Sequence, residues 1–321
     1  MLALPPGVKP EAPLTLCGIV RGTRLENSAH LAIGGSDPPN PRIEFPYTQE
    51  VVCEQNHVAY ADVGLVVARA SAGVFTRENT FDHCRVNMAD EAELDRRDRA
   101  ERDALLAQPG PLLRLSFDRF EAGAYLDATG HGFDARPDGS VRLDTNGVRG
   151  SCARFDGASC LIVARPRVLQ LTNFTISAWV KPAKLEGRWG IASKRFRGST
   201  APFVLGATSG RLTFEAAAPD GKWPHNFSTA AALQAGQWQH VAVVFQEGEG
   251  TTLYLDGKPA GHRAETKPVT QNSEPLVLGR EAWGGNPPKS DTPGFFTGCL
   301  DEVEVWGRPF SAEEIARLAQ P

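Results

Sequence analysis

The sequence lacks several features that would narrow its function at once. No apolar run in its 321 residues approaches the ~18 needed to span a bilayer as a helix, so no membrane span is expected. It has no basic stripe of the kind phosphate binding needs, and a net charge of −4 argues against nucleic acid as a partner. Zinc-ligand spacing, a phosphate loop, a nucleophile elbow and a dinucleotide fingerprint are all missing. The opening MLALPPGVKPEAPLTLCGIV has no basic n-region, sustained apolar core or small-residue cleavage site, so it does not read as a signal peptide. Methionine is scarce, at two residues, whereas 32 Gly and 24 Pro with 41% hydrophobic residues suit a turn-rich β protein. A chain of this length is comfortable for two or more cores. The six cysteines, Cys17, Cys53, Cys84, Cys152, Cys160 and Cys299, are compatible with disulfides and equally with buried free thiols. A Cys152–Cys160 bridge across the ARFDGAS hairpin is one such option.

What is present begins with a repeat. Residues 74–86, VFTRENTFDHCRV, alternate like a strand but carry Asn79 where a buried amide would be costly. Moving 23 positions back reaches Asn56, with Val51 matching Val74, Val52 matching Phe75, Val58 matching Phe81, Ala61 matching Cys84 and Val63 matching Val86. A further 33 positions back, GIVRGTRLENSAHLAI puts Ile19, Leu25, Ser28 and His30 in the same columns and Thr23 in the Asn place. The Pro-rich excursion GGSDPPNPRIEFPY accounts for the longer spacing and reads as a surface loop. Short strands at such a period indicate a solenoid, in which stacked Asn side chains hydrogen-bond along a ladder. Chance alternation in an ordinary sandwich is the competing explanation.

Next, MADEAELDRRDRAERDALLAQPG is charged, rich in helix formers and closed by Pro109 and Gly110, which predicts one capping or linking helix. From Leu112 onward, short alternating segments such as NFTISAWVKP, QWQHVAVVFQ and TTLYLDGKPAG are separated by Gly, Asp and Pro turns and predict an antiparallel sandwich. Phe174, Ile176 and Ala178 share one face, and Leu253 and Leu255 share another. Asp256-Gly257 is a hairpin turn signal, and Ser311 with Glu314 forms a capping box for a last short helix.

Two resemblances follow from these strings. CEQNHV and TRENTF resemble the last coils of a right-handed parallel β-helix of the pectate-lyase-like class, which implies that residues 1–88 are the end of a longer solenoid. The order RFDG, FTISAWVKP, GQWQHVAVVF, LYLDGKPAG, LGR, GCLDEVEVWGRPFSAEEI is similar to the laminin-G-like, concanavalin A-like jelly-roll domains of lectin and glucanase type. The expected fold is therefore all-β: β-helix coils over 1–88, a helical linker over 89–110 and a jelly roll over 111–321. The family implies extracellular or periplasmic residence and use as a carbohydrate-binding or adhesive module. Glucanase members carry a Glu-x-Asp-x-x-Glu strand motif that is absent here, which argues against hydrolysis by the sandwich itself.

Candidate site residues fall into three sets. Trp189, Trp223 and Trp283 sit among Gly, Pro and polar residues in expected loops, where an exposed ring can stack on a sugar face or else anchor the loop; Lys222, His225, Arg280 and Asn286 lie beside them. Trp179, Trp238 and Trp306 are expected in the core. The jelly-roll resemblance implies a structural calcium held by Asp301, with Asp118 and Asp156 as acidic partners; turn capping by the same side chains is the alternative. In the repeat, Glu26, His57, Asp62, Glu78 and Asp82 are the polar groups available for glycoside hydrolase or lyase chemistry, though exposed charges on a solenoid usually serve solvation. The functions in contention are a secreted glycan-binding module, the tail of a polysaccharide-degrading enzyme and a protein-adhesion domain.

Overall fold

The computed structural model describes residues 15–26, 31–33, 48–59, 63–67, 71–163, 165, 167–195, 200–272, 274–282 and 293–321. It divides into two compact units, residues 1–101 and 102–321.

In the N-terminal unit the repeat columns become strand pairs. Strands β1 (Thr15–Arg21), β4 (Thr48–Glu54) and β7 (Ser71–Arg77) form one parallel sheet. A second contains β2 (Arg24–Glu26), β5 (His57–Ala59) and β8 (Thr80–Asp82), and a third β3 (Leu31–Ile33), β6 (Val63–Val67) and β9 (Val86–Asp90). The register is the one the repeat implies: Ile19 pairs with Val52 and Val52 with Phe75, Leu25 with Val58 and Val58 with Phe81, and Val63 with Val86. Ala61, Ser28, His30 and the Pro-rich excursion lie outside the described residues.

The turns between the first two sheets show why Asn recurs. Gly22, Gln55 and Glu78 all adopt positive φ, at 66°, 55° and 53°, and each precedes the residue of the Asn column. Asn56, 1% exposed, accepts from the Thr23 amide at 2.9 Å and donates to the Val20 carbonyl at 3.0 Å and to Asn79 Oδ1 at 2.9 Å. Asn79 accepts in turn from the Asn56 amide at 3.1 Å and donates to the Cys53 carbonyl at 2.8 Å. Each side chain thus satisfies backbone groups that the left-handed turn frees, which removes the cost of burying an amide. A charged column runs alongside: Glu54, 2% exposed, receives both Arg21 and Arg77, its register partners. Those two guanidiniums, Arg77 first, hold its carboxyl below the usual range.

Helix α1 (Glu91–Leu106) starts where Asp90 Oδ1 accepts from the Ala92 amide at 2.8 Å, with Glu91 and Glu93 in the first turn favoured by the helix dipole. Leu94 closes an apolar cluster with Val63 and Val66 in the first unit.

The second unit is a sandwich of two antiparallel sheets. One has eight strands in the order Arg142–Asp144, Cys152–Asp156, Thr297–Trp306, Phe174–Pro182, Gln239–Gln246, Gly250–Leu255 and Lys258–Arg263, with Leu113–Leu115 also pairing on Thr297–Trp306. The other has nine: Phe120–Glu121, Ala124–Tyr125, Ala135–Asp138, Cys160–Val163, Leu276–Leu278, Arg188–Ser193, Val204–Thr208, Arg211–Glu215 and Phe227–Ala232. Phe174, Ile176 and Ala178 face Phe203, Leu205 and Phe214 across one core, to which Leu253 also belongs. Asp256 and Gly257 turn the expected hairpin with φ of 49° and 76°, both positive as a two-residue hairpin loop requires. Helix α2 (Ala312–Leu318) carries the full Ser311–Glu314 capping box and packs Ile315 against Ala242, Val244 and Tyr254.

Of the Trp residues expected in the core, Trp179 is buried, at 7% exposure, but on the outer side of its sheet, and Trp306 packs against the smaller cluster under α2. Trp179 alternates away from Ala178 and Val180 and packs edge-on to His240, with ring centroids 5.5 Å apart. Trp306 packs on Phe310 beside α2 with centroids 4.8 Å apart and the rings tilted by 57°, and Trp238 is half-buried with Lys181 Nζ 5.9 Å from its ring centroid. Trp189, expected in a loop, occupies the core in their place: it lies in the strand Arg188–Ser193, is 2% exposed and packs at 4.9 Å on Phe296.

Candidate functional site

The outer face of the nine-stranded sheet carries a cluster of charged side chains beside a tryptophan. Alternation along Arg188–Ser193 sends Trp189 inward and Arg188 outward. Gly190 lies opposite Gly206, and a Cβ on Gly190 would collide with the backbone of Arg280 and Glu281, so the glycine lets the short strand Arg280–Ala282 cross close over the sheet. That crossing places Glu281, 1% exposed, against Arg188 Nε, while Arg188 Nη2 donates to Glu215 at 2.6 Å. Arg188, Thr208, Thr213, Glu215 and Glu281, with Trp189, Val204 and Ala207, line a small depression with room for no more than about one water molecule. Burial lowers the Arg188 guanidinium, but Glu281 and Glu215 outweigh it and leave Arg188 raised.

Arg195, just beyond this strand, stacks its guanidinium 4.7 Å from the centroid of the Trp223 ring. Burial lowers Arg195, and Glu281 and Glu215 partly offset that, so Arg195 belongs to the same electrostatic cluster. Trp223 is half-buried and Lys222 beside it is exposed, its amide bonded to Asp220 Oδ1 at 3.1 Å. The Arg188–Glu215–Glu281 network is largely buried and internally paired, so the groups of this cluster that face solvent are the half-buried Trp223 ring and the exposed Lys222 beside it.

Of the other expected glycan residues, Trp189 contributes no ring surface because its indole is core. His225 is fully buried, its ring edge-on to Phe245 at 5.4 Å, and burial lowers its pKa. Arg280 lies over the Phe295 ring at 5.2 Å, at the start of the crossing strand. Trp283 and Asn286 lie outside the described residues. Arg188, Glu215 and Glu281 went unnoticed in the sequence, where charged residues in strands far apart give no sign of meeting.

Of the three aspartates expected around calcium, Asp301 and Asp118 both accept from amides of the loop 147–151, and Asp156 stands apart. Asp301 is fully buried, with Oδ2 accepting from the Val148 and Arg149 amides at 2.7 and 3.0 Å and Oδ1 from the Glu302 amide at 2.8 Å. Burial pushes its carboxyl up to about 6 against those three donors. Asp118 accepts from the Ser151 amide at 2.9 Å. Asp156 caps its own turn through Ser159 and the Ala158 amide, which hold its carboxyl low. It pairs opposite Thr297, four residues or roughly 13 Å along the strand from Asp301. No cluster of three or more His, Cys, Asp or Glu suited to a metal exists among the described residues.

Lys194 is a second unusual group. It is fully buried, with Nζ 3.4 Å from the Leu169 and Asn272 carbonyls, and burial pulls its ammonium down to about 7 although Glu274 opposes the shift. A lysine whose native pKa lies below its unfolded value of 10.5 lowers stability fully below about pH 7, and the loss fades as pH rises from there to 10.5. Lys194→Met is therefore expected to stabilise the chain by about 1–3 kcal/mol near pH 6.5 and by little near pH 10. Urea unfolding at the two pH values checks this, and a gain independent of pH would count against it.

The comparisons agree with this architecture. The model for the concanavalin A-like lectin/glucanases superfamily matches residues 156–316. The chain belongs to that superfamily. Among solved structures, domain 4 of AbnA, a GH43 extracellular arabinanase from Geobacillus stearothermophilus in complex with arabinotriose, is 18% identical with a TM-score of 0.50, covering 65% of this chain and 98% of that one. The binding domain of Paraclostridial Mosquitocidal Protein 1 is 16% identical with a TM-score of 0.53, covering 68% of this chain and 52% of that one. At these identities the likeness is one of fold. No curated protein sequence matches the chain. No helix among the described residues is long and apolar enough to cross a membrane.

Proposed function

We propose that this chain is a carbohydrate-binding module of a secreted polysaccharide-active protein, with glycan held at Trp223, whose other face is backed by Arg195 and the buried Arg188–Glu215–Glu281 network. The observation that carries the reading is the Trp223–Arg195 stack sharing one charge cluster with that network. A domain of the same fold solved with arabinotriose supports a glycan as partner. The three parallel sheets of the first unit, with their Asn column, support a reading of that unit as the terminal coils of a right-handed parallel β-helix attached to the module. A module of this kind raises the effective concentration of an attached catalytic unit at its substrate, so weak, repeated contacts suffice.

Affinity gels and calorimetry with arabinan and other plant and bacterial polysaccharides test the proposal. Trp223→Ala is expected to weaken binding about fivefold, the loss of one stacked ring. Binding of every polysaccharide by the variant as tightly as by the wild type would remove Trp223 from the site. Failure of the wild-type chain to bind any of them would overturn the module reading itself.

A further inference from the structure

The outer face of the eight-stranded sheet carries a row of cations that the Trp223 reading does not use. Val141, Ala153, Val180 and Leu300 face the core, so Arg142, Arg154, Lys181 and Cys299 point outward. The register sets them in one line across four strands: Arg142 pairs with Arg154, Arg154 with Cys299, and Cys299 with Lys181. Trp238 continues the line, since Val180 pairs with Gln239 and Lys181 Nζ lies 5.9 Å from the Trp238 ring centroid. Arg142 and Arg154 are exposed, Lys181 and Trp238 half-buried, and Cys299 forms a low floor between the cations at 6% exposure. From Trp238 to Arg142 the line spans four strand spacings, about 19 Å. Two guanidiniums directly opposite each other repel and weaken the sheet. Asp144 relieves part of this, with Oδ2 accepting from Arg154 Nε at 2.7 Å. Asp156, the next outward position on the strand of Arg154, is turned to Ser159 and the Ala158 amide instead. The row is therefore locally positive on a chain of net charge −4.

We infer that this row is a second binding site, for an acidic polysaccharide whose carboxylates lie along Lys181, Arg154 and Arg142 while one sugar ring packs on Trp238. The ligand's anions remove the repulsion between the two guanidiniums, which fit a carboxylate through paired N–H donors. Lys181 stands about 10 Å from Arg154, two strand spacings, so the cations suit charges set at intervals along an extended chain rather than one small anion. An acidic polysaccharide alternates flat apolar ring faces with single carboxylates, and the row offers an aromatic ring followed by spaced cations. The inference rests on the reading of the sandwich as a glycan-binding module but not on Trp223, which lies between the strands Arg211–Glu215 and Phe227–Ala232 of the other sheet.

Affinity electrophoresis of the full chain through gels holding polygalacturonate, beside gels holding neutral arabinan and gels holding neither, tests the site. Arg142→Gln and Lys181→Gln should each weaken polygalacturonate binding about threefold, and the double variant about tenfold, with arabinan binding unchanged. Binding to polygalacturonate should weaken as salt is added, because exposed charge pairs are screened. Arg142→Gln should not lower the melting temperature, since it removes a like-charge pair. Lys258→Gln, on the edge strand Lys258–Arg263 of the same sheet, removes the same charge away from the row and should bind like the wild type. The inference is overturned if the double variant binds polygalacturonate as the wild type does, if Lys258→Gln loses as much as the row variants, or if single-stranded DNA displaces the chain as readily as free polygalacturonate. Arabinan held while polygalacturonate is not overturns the row and leaves the Trp223 reading intact. Polygalacturonate held alike by the wild type and by Trp223→Ala supports the row whatever Trp223 binds.

Discussion

Asn56→Ala is expected to destabilise the N-terminal unit by about 3–4 kcal/mol. The deleted amide bonds the Thr23 N–H, the Val20 carbonyl and Asn79 Oδ1, all partly buried. Truncation leaves buried backbone groups unpaired at about 1–3 kcal/mol each, with partial relief from relaxation. Hydrogen exchange on the full chain resolves the effect by region. Peptides covering 48–59 and 71–90 should exchange about a hundredfold faster, while peptides from the sandwich keep their protection. Asn79→Ala, at the partly exposed end of the ladder, should cost less. Asn56→Asp is the sharper control, since it keeps the acceptor for Thr23 but loses the two donations. Wild-type exchange in 48–59 for both Asn56 variants would mean that the ladder does not hold the turns.

The same ladder shows what could be read from sequence and why. Asn56 and Asn79 are legible because a strand stack repeats its needs at a fixed spacing, and three left-handed turns in register create the same unsatisfied groups three times. Asp256-Gly257 and Ser311–Glu314 are legible for a local reason: their partners lie within three residues, so the pattern and the geometry are the same object. The Arg188–Glu215–Glu281 cluster has no such signature. Arg188, Glu215 and Glu281 sit in strands that only the completed sheet and the crossing segment bring together, and a glycine, Gly190, is what allows the crossing. Trp189 was misplaced because the Gly residues flanking it look like loop; Gly187 does turn the chain, but Gly190 is a strand glycine accommodating a neighbouring backbone, and alternation turns the indole inward. The cysteine pairing failed similarly. Cys152 and Cys160 are near in sequence, but the chain passes from one sheet to the other between them.

Arg188→Met should lower the stability of the sandwich by about 3–5 kcal/mol at pH 7, a loss larger than any surface ion pair can produce. The methionine replaces the aliphatic stem but leaves Glu281 and Glu215, 1% and 5% exposed, facing each other without a cation. Arg195 is too engaged with Trp223 and too desolvated to replace the bidentate partner. The pH dependence gives the cause away. In the variant, native-state burial and mutual repulsion raise both carboxyls above their unfolded values near 4.3, so the penalty is complete at neutral pH and is relieved as pH falls through the raised native pKa values. The gap between variant and wild type should therefore narrow on going from pH 7 to about pH 5. Adding Glu215→Gln and Glu281→Gln to Arg188→Met should recover most of the loss at pH 7, because uncharged amides need no counter-ion. Urea titrations of the four proteins at the two pH values decide the matter. A loss that neither acid nor the two glutamine substitutions relieve would place the role of Arg188 in packing by its stem, and the network would lose its claim to be an electrostatically organised cluster.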